Sequence, residues 1–288
     1  MKYLKKILLV LIIILMASGC FKRDDLEDID VYTTVYPIRY ITEKLYGYNS
    51  NVKSIYPAGV DLSNYSLTKK QKEAYSEGGL FVYNGLGDEG EIARDLINRN
   101  SDIRIIDVSE GMEYEKGVCE LWLNPSNYLM LANNLKTGLE KYIKSTVVKQ
   151  EISKNYDDLK LLISGYDAEM EMMSINAKDK NILIASDELS FLSEYDLTVT
   201  DVDSTYYEVS DASLEEAKRL VSSGTIKYIY MLNGTKETDI TKELESLGAQ
   251  IIRINSMTIL SEEQENENET YETMMRDNID NFKKELME

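Results

Sequence analysis

What this chain could do chemically is limited first by a residue type it lacks. Its 288 residues include no histidine, against 51 acidic and 32 basic side chains and two cysteines. Without imidazole there is no group with an ordinary pKa near neutrality, no Ser-His or Cys-His nucleophile, and no use of the commonest transition-metal ligand. Acid–base work would fall to carboxylates such as Glu120 and Asp187. Yet no paired-carboxylate motif, Gly-Lys phosphate loop or nucleophile elbow is present. Asn84-Gly85-Leu86-Gly87 is too short for a nucleotide-binding fingerprint. These absences argue against an enzyme. A net charge of -19 and a pI near 4.5 argue against non-specific nucleic-acid binding, because phosphate would be repelled.

The two cysteines have different settings. Residues 1–20 read MKYLKKILLVLIIILMASGC. Lys2, Lys5 and Lys6 form a basic start, and 7–17 is an apolar run too short to span a bilayer. Ala17, Ser18 and Gly19 then precede Cys20. The segment resembles a bacterial lipoprotein signal, which implies removal of 1–19 and lipidation of Cys20. Two or more acyl chains would anchor the protein stably, as one would not. Residues 20–30 follow as the lipidated cysteine and a charged tether. Cys119 is then alone, so no intramolecular disulfide is available. It reads either as a small buried hydrophobe or as a thiolate facing a site.

The elements that would position any site alternate. Strand-like runs lie at 31–35, 52–56, 80–83, 103–108, 181–185, 198–202, 226–232 and 249–254. Most are continuously apolar, as in strands buried on both faces. Helix signals fall between them. Thr68-x-x-Gln71 and Ser213-x-x-Glu216 fit a capping box. Asn124-Pro125 fits an N-cap and first turn for a helix to about residue 143. Gly47, Gly224 and Gly248 stand where helices should stop. The alternation predicts parallel sheets flanked by helices. Only 146–175 breaks it. There Val148, Ile152, Leu159, Leu162, Ile163, Tyr166, Met170 and Met173 form one helical stripe, about 45 Å long at 1.5 Å per residue. The division expected is two α/β lobes, 31–145 and 178–288, joined by a linking helix over 146–177. A single domain with one long surface helix is the other arrangement. SEEQENENE at 261–269 reads as a solvated loop, and 271–286 as a closing amphipathic helix.

Several stretches then point to a family. They are Val35-Tyr36-Pro37-Ile38, Pro57-x-Gly59-Val60-Asp61-x-x-x-Tyr65-x-x-Thr68, Phe81-Val82-Tyr83-Asn84-Gly85-Leu86-Gly87, Asp107-Val108-Ser109-Glu110-Gly111, Leu121-Trp122-Leu123-Asn124-Pro125 and Tyr271-x-x-x-Met275-x-x-Asn278. In this order they resemble the zinc and manganese ABC-transporter solute-binding lipoproteins, some of which act as adhesins. The resemblance implies two α/β lobes bridged by a rigid helix, with a metal held in the cleft between them. It also implies ABC permease and ATPase partners, an extracytoplasmic location anchored to the bacterial membrane through Cys20, and a monomer.

The resemblance also places the family's ligands, and this chain departs at every one. The three histidine positions fall at Ser63, Glu120 and about Ser186, and the acidic fourth at about Asn255. A shift of one residue would bring in Asp187. Zinc prefers His nitrogen or Cys sulfur in a tetrahedral set, so a site of the family's histidine type is ruled out. Glu120 with Asp61, Asp187 and Glu188 could instead suit a hard divalent cation such as Ca²⁺, Mg²⁺ or Mn²⁺. Equally, these can be capping or surface acids among many, and no resident cofactor is assigned. Two functions stay open. One is a membrane-anchored solute-binding protein of an ABC transporter. The other is a degenerate or repurposed surface lipoprotein that binds no metal and acts through protein contacts.

Overall fold

A computed structural model describes residues 26–287; the signal segment and Cys20 lie outside them. Eight strands form, one at each predicted place. β1 (Ile29–Thr33), β2 (Ser50–Ser54), β3 (Leu80–Tyr83) and β4 (Arg104–Asp107) make one parallel sheet in the order β2-β1-β3-β4. β5 (Asn181–Ile184), β6 (Thr198–Asp201), β7 (Tyr228–Leu232) and β8 (Gln250–Ile254) repeat that order as β6-β5-β7-β8. Pairing is in parallel register, Val31 with Val52 and Leu80, and Ile229 with Ile251.

Period-two side-chain alternation explains the apolar runs. Leu80 and Val82 enter the main core, whereas Phe81 between them faces a second cluster with Ile55, Ala93 and Leu96. Ile182 and Ile184 likewise face the main core, and Leu183 packs with Ala217 and Leu244 on the other side. Both faces of each sheet are therefore covered, by α1 (Tyr36–Tyr46), α2 (Lys69–Ser76), α3 (Glu89–Arg99), α4 (Glu120–Leu123) and α5 (Pro125–Tyr142) in the first half. In the second half the cover is α7 (Asp211–Ser222), α8 (Asp239–Ser246), α9 (Glu262–Asn266) and α10 (Tyr271–Met287), with a 3₁₀ segment over Asp187–Tyr195.

α6 (Thr146–Ile175) is the predicted linking helix, capped by Ser145, whose Oγ accepts from Val148 N at 3.3 Å. Val148, Ile152, Leu159, Ile163, Tyr166, Met170 and Met173 are buried on it. It packs against α1 and α5 of the first lobe and α10 of the second. One cluster runs through these helices from Leu26 to Leu286. The lobes thus share a core along α6, which permits small relative movements and resists a wide hinge.

The caps follow the sequence with one correction. Thr68 and Gln71 close a capping box, and Asn124 Oδ1 accepts from Ser126 N at 2.9 Å. At α7, however, the cap is Ser210, whose Oγ accepts from Ser213 N at 3.1 Å. Ser213 lies inside the first turn, its own amide capped by a serine three residues earlier. Gly224 and Gly248 end α7 and α8 with φ of +72° and +114°, which glycine adopts at little cost. Gly47 follows α1 with ordinary helical angles.

Two further expectations change. The acidic stretch 261–269 contains the short helix α9, because Ser261 and Gln264 build a capping box there. Residues 26–30, read as tether, join the first lobe. Leu26 is fully buried, its carbonyl accepts from Tyr46 Oη at 2.8 Å, and β1 opens at Ile29. One apolar residue within a charged run was enough to dock it.

Candidate functional site

In a parallel sheet, ligand groups gather beyond the carboxyl ends of strands, at the point where strand order reverses. Here the reversals lie between β1 and β3 and between β5 and β7. Of the ligand positions implied by the resemblance only Ser186 leaves one of these strands, β5; Ser63 follows β2, Asn255 follows β8, and Glu120 opens α4 beyond β4. Contacts between the lobes fix how these loops face one another. Trp122 Nε1 donates to Ser256 O at 2.8 Å, and Asn124 Nδ2 to Glu194 Oε2 at 3.0 Å. Tyr36 N donates to Thr258 O at 2.9 Å and Gly59 N to Leu260 O at 2.8 Å. Tyr271, fully buried, donates from Oη to Trp122 O at 2.8 Å and stacks on Tyr128 at 4.1 Å between centroids.

Each predicted site residue already has partners. Ser63 is exposed, and its Oγ donates to Asp61 Oδ1 at 2.7 Å. Asn64 Nδ2 donates to Asp61 Oδ2 at 2.7 Å. Asp61 is thus a turn residue whose donors, Ser63 first, hold its carboxyl below the ordinary range. Glu120 is buried, and its Oε2 accepts from the backbone of Glu115 and Lys116, both at 3.3 Å. Burial raises its pKa, and those two amides offset part of the rise. It braces the loop before α4. Ser186 Oγ accepts from Leu232 N at 3.0 Å, tying the end of β5 to β7. Asn255 Oδ1 accepts from Met257 N at 2.8 Å, while Asn278 brackets the Asn255 backbone through both amide atoms. Met257 is fully buried at φ +57°, a strained left-handed position for a bulky residue.

Of the two acids beside Ser186, Asp187 pairs with another carboxyl, that of Asp201. Asp187 is buried and accepts from Ser204 Oγ, from Thr205 N at 2.7 Å and from Thr205 Oγ1 at 2.9 Å. Burial pushes its carboxyl up, but these donors outweigh it and hold Asp187 below the ordinary range. Asp201, at the end of β6, lies against it. Burial, with the Asp187 charge added, pushes Asp201 up to about 7. Asp201 Oδ2 is buried with no hydrogen-bond donor to it. The raised pKa follows from that unrelieved burial beside a second carboxylate. Glu188 packs on the opposite lobe: a Cβ on Gly117 would lie 2.4 Å from its Cγ. Burial raises the Glu188 pKa, and it also drives the Cys119 thiol well above its usual value. Cys119 is therefore a buried thiol, not a poised thiolate.

Among the described residues no three His, Cys, Asp or Glu side chains converge as a metal-binding group. Of the four carboxylates read as hard-cation donors, Asp61 and Glu120 are engaged in separate loops, and only Asp187 and Glu188 adjoin.

Sequence reading missed a cavity in the cleft. Of about 800 Å³, it lies on the first-lobe side, with Tyr206 and Thr258 of the second lobe contributing to its wall. It flanks the Ser63 and Glu120 positions and includes neither. Glu89, at the start of α3, lines it and is only 8% exposed. Burial pushes its carboxyl up to about 7, with Asp88 and Asp107 adding to the rise. At the mouth, Lys116 Nζ sits 5.6 Å from the Tyr206 ring centroid and 4.9 Å from that of Tyr207, across the two lobes. An acid one residue past Gly-x-Gly-Asp gives no period or motif by which to find it.

The model of the family described as "ZnuA: Zinc-uptake complex component A periplasmic" matches residues 31–285. The manganese-binding lipoprotein MntA of Halalkalibacterium halodurans is 30% identical over 105 residues, a match spanning 35% of either chain. Among solved structures, the metal-dependent lipoprotein YcdH from Bacillus subtilis superposes with a TM-score of 0.74 at 22% identity, over 91% of this chain and all of that one. The Zn(II)-bound ZnuA-like domain of Streptococcus pneumoniae AdcA gives 0.72 at 20% identity, over 91% and 100%. The laminin-binding protein Lbp of Streptococcus pyogenes gives 0.70 at 17% identity, over 90% and 99%. At these identities the superpositions speak to the fold.

Proposed function

The chain belongs to the family of periplasmic zinc-uptake complex component A proteins, and on that premise we propose that it is the lipid-anchored solute-binding component of an ABC transporter whose cleft has lost the metal-ligand set. One observation carries the reading. The two-lobed frame and the inter-lobe contacts are intact, while among the described residues no three ligating side chains converge. Ser63, Ser186 and Asn255 supply only neutral oxygens and a carboxamide, and Glu120 is committed to two backbone amides. Such a set holds zinc poorly. Capture would proceed by limited closure about α6, then docking of the loaded monomer on permease and ATPase subunits. Cys20 would hold the chain on the outer side of the cell membrane through its acyl chains.

The test is reconstitution of the full-length lipoprotein with the permease and ATPase of its host. Stimulated ATP hydrolysis supports the reading. Hydrolysis unchanged by the lipoprotein, across solutes tried, removes it. A second reading, a surface lipoprotein acting through protein contacts, draws on Leu161, Met172 and Ile175, which stand exposed on one face of α6.

A further inference from the structure

The cavity beside the ligand positions has a chemistry of its own. Its volume, about 800 Å³, falls among small-molecule pockets, which run to roughly 1,000 Å³. A bare ion would leave nearly all of it unfilled. Four carboxylates (Asp88, Glu89, Glu91 and Asp95) line it against two cations, Lys72 and Arg94. Lys72 is already paired to Asp95 at 2.8 Å, and Asp95 also pairs with Arg99 at 3.1 Å. Glu89 is different: it is more than nine-tenths buried, faces the cavity, and has no ion pair among the described residues. A buried carboxylate without a counter-ion is costly. That cost is relieved by a proton, as the rise of its pKa to about 7 shows, or by a cation supplied from outside.

The walls suit an organic cation. Tyr56 and Tyr65 meet edge to face at 5.8 Å between centroids, and Tyr114 and Tyr206 stand at the opening. Aromatic faces attract ammonium groups, more strongly once water is displaced. Tyr206 is already used in this way, by the Lys116 ammonium. An anionic solute would face an excess of carboxylates, and a neutral one would leave Glu89 uncompensated.

We propose that this cavity binds a small organic ammonium cation, its charge paired with Glu89 and its carbon frame held against Tyr56, Tyr65 and Tyr206. The inference deepens the transport reading and rests on it, by naming the class of solute delivered. Metal-independent capture also fits a cleft in which no three ligating side chains converge.

The experiment titrates the full-length chain in detergent with n-butylammonium chloride, choline chloride and, as the anionic control, sodium butyrate. Saturable one-site binding of an ammonium probe, with none of butyrate, is expected. Glu89→Gln should weaken it by about tenfold or more, since a charge-assisted contact is lost. Tyr206→Ala should weaken it by about two- to fivefold. Both variants should fold, because one removes an uncompensated charge and the other trims an exposed ring. Absence of binding by either ammonium, or equal binding by Glu89→Gln, overturns the proposal. The same preparations are then assayed for stimulation of the permease ATPase. Stimulation without ammonium binding sinks this inference and leaves transport standing. Ammonium binding that depends on Glu89 without stimulation keeps the site and removes the transporter role.

Discussion

Replacing Glu89 with glutamine should stabilise the protein, and by an amount that grows with pH. The Glu89 carboxyl titrates near its ordinary value of 4.5 in the unfolded chain and at about 7 in the folded one, mainly because it is buried. Between those values the folded state binds the extra proton. Stability is therefore lost as pH rises through this window, and the penalty is complete above the folded value. A gap of about 2.5 pKa units corresponds to about 3 kcal/mol. Glu89→Gln carries no such penalty. The two proteins should differ least at pH 4.5, and the variant should lead by about 3 kcal/mol at pH 8. Asp88 and Asp107, which face the same carboxyl, and the Asp187–Asp201 pair are present in both chains and cancel to first order. Trp122, the sole tryptophan and almost fully buried, reports unfolding. Urea titrations followed by its fluorescence at several pH values give the difference, with the slope on urea unchanged. A stability difference that stays constant from pH 4.5 to 8 would refute the claim that an uncompensated charge is buried at Glu89.

Other outcomes follow from single contacts. Trp122→Phe removes the inter-lobe bond to Ser256 O and should cost about 1–3 kcal/mol, read by circular dichroism in urea. Asp187→Asn takes a negative charge from beside Asp201, so the Asp201 pKa should fall from about 7 toward the ordinary range while burial keeps it above; carboxyl carbon NMR titration measures it. Cys20→Ala should move the protein from the membrane fraction to the soluble fraction of its host, as immunoblotting would show.

Much of the frame was legible because most strands carry a short apolar run and several helices have a side-chain cap, as at Thr68, Asn124 and Ser145. The 30-residue α6 was marked to its ends by an unbroken stripe of apolar residues. Edges were harder. β2 alternates half-buried and exposed residues, and its start was misplaced by two positions. Ser213 was mistaken for a cap because Ser210 offers the same chemistry one turn earlier. At the site, sequence could place Ser63, Ser186 and Asn255 after predicted strands, and the resemblance placed Glu120 just before Trp122. It could not reveal that Glu120 braces its own loop, or that Asp187 lies against Asp201 and raises its pKa. Glu89 was invisible for a related reason. Its carboxylate folds back against Gly87, and the other residues that line the cavity with it, such as Tyr56 and Tyr65, are distant in sequence.

The central claim is a metal-transport fold without a metal site, and its most direct test is a titration. The full-length chain, stripped with chelator, is titrated calorimetrically with Zn²⁺, Mn²⁺ and Ca²⁺, and Glu120→Ala is run in parallel. The expected result is no saturable binding tighter than about 100 μM for any of the three, with wild type and variant alike. Binding of Zn²⁺ or Mn²⁺ below about 1 μM that disappears in Glu120→Ala would contradict it, and would mean that the cleft rebuilds a metal site around that carboxylate.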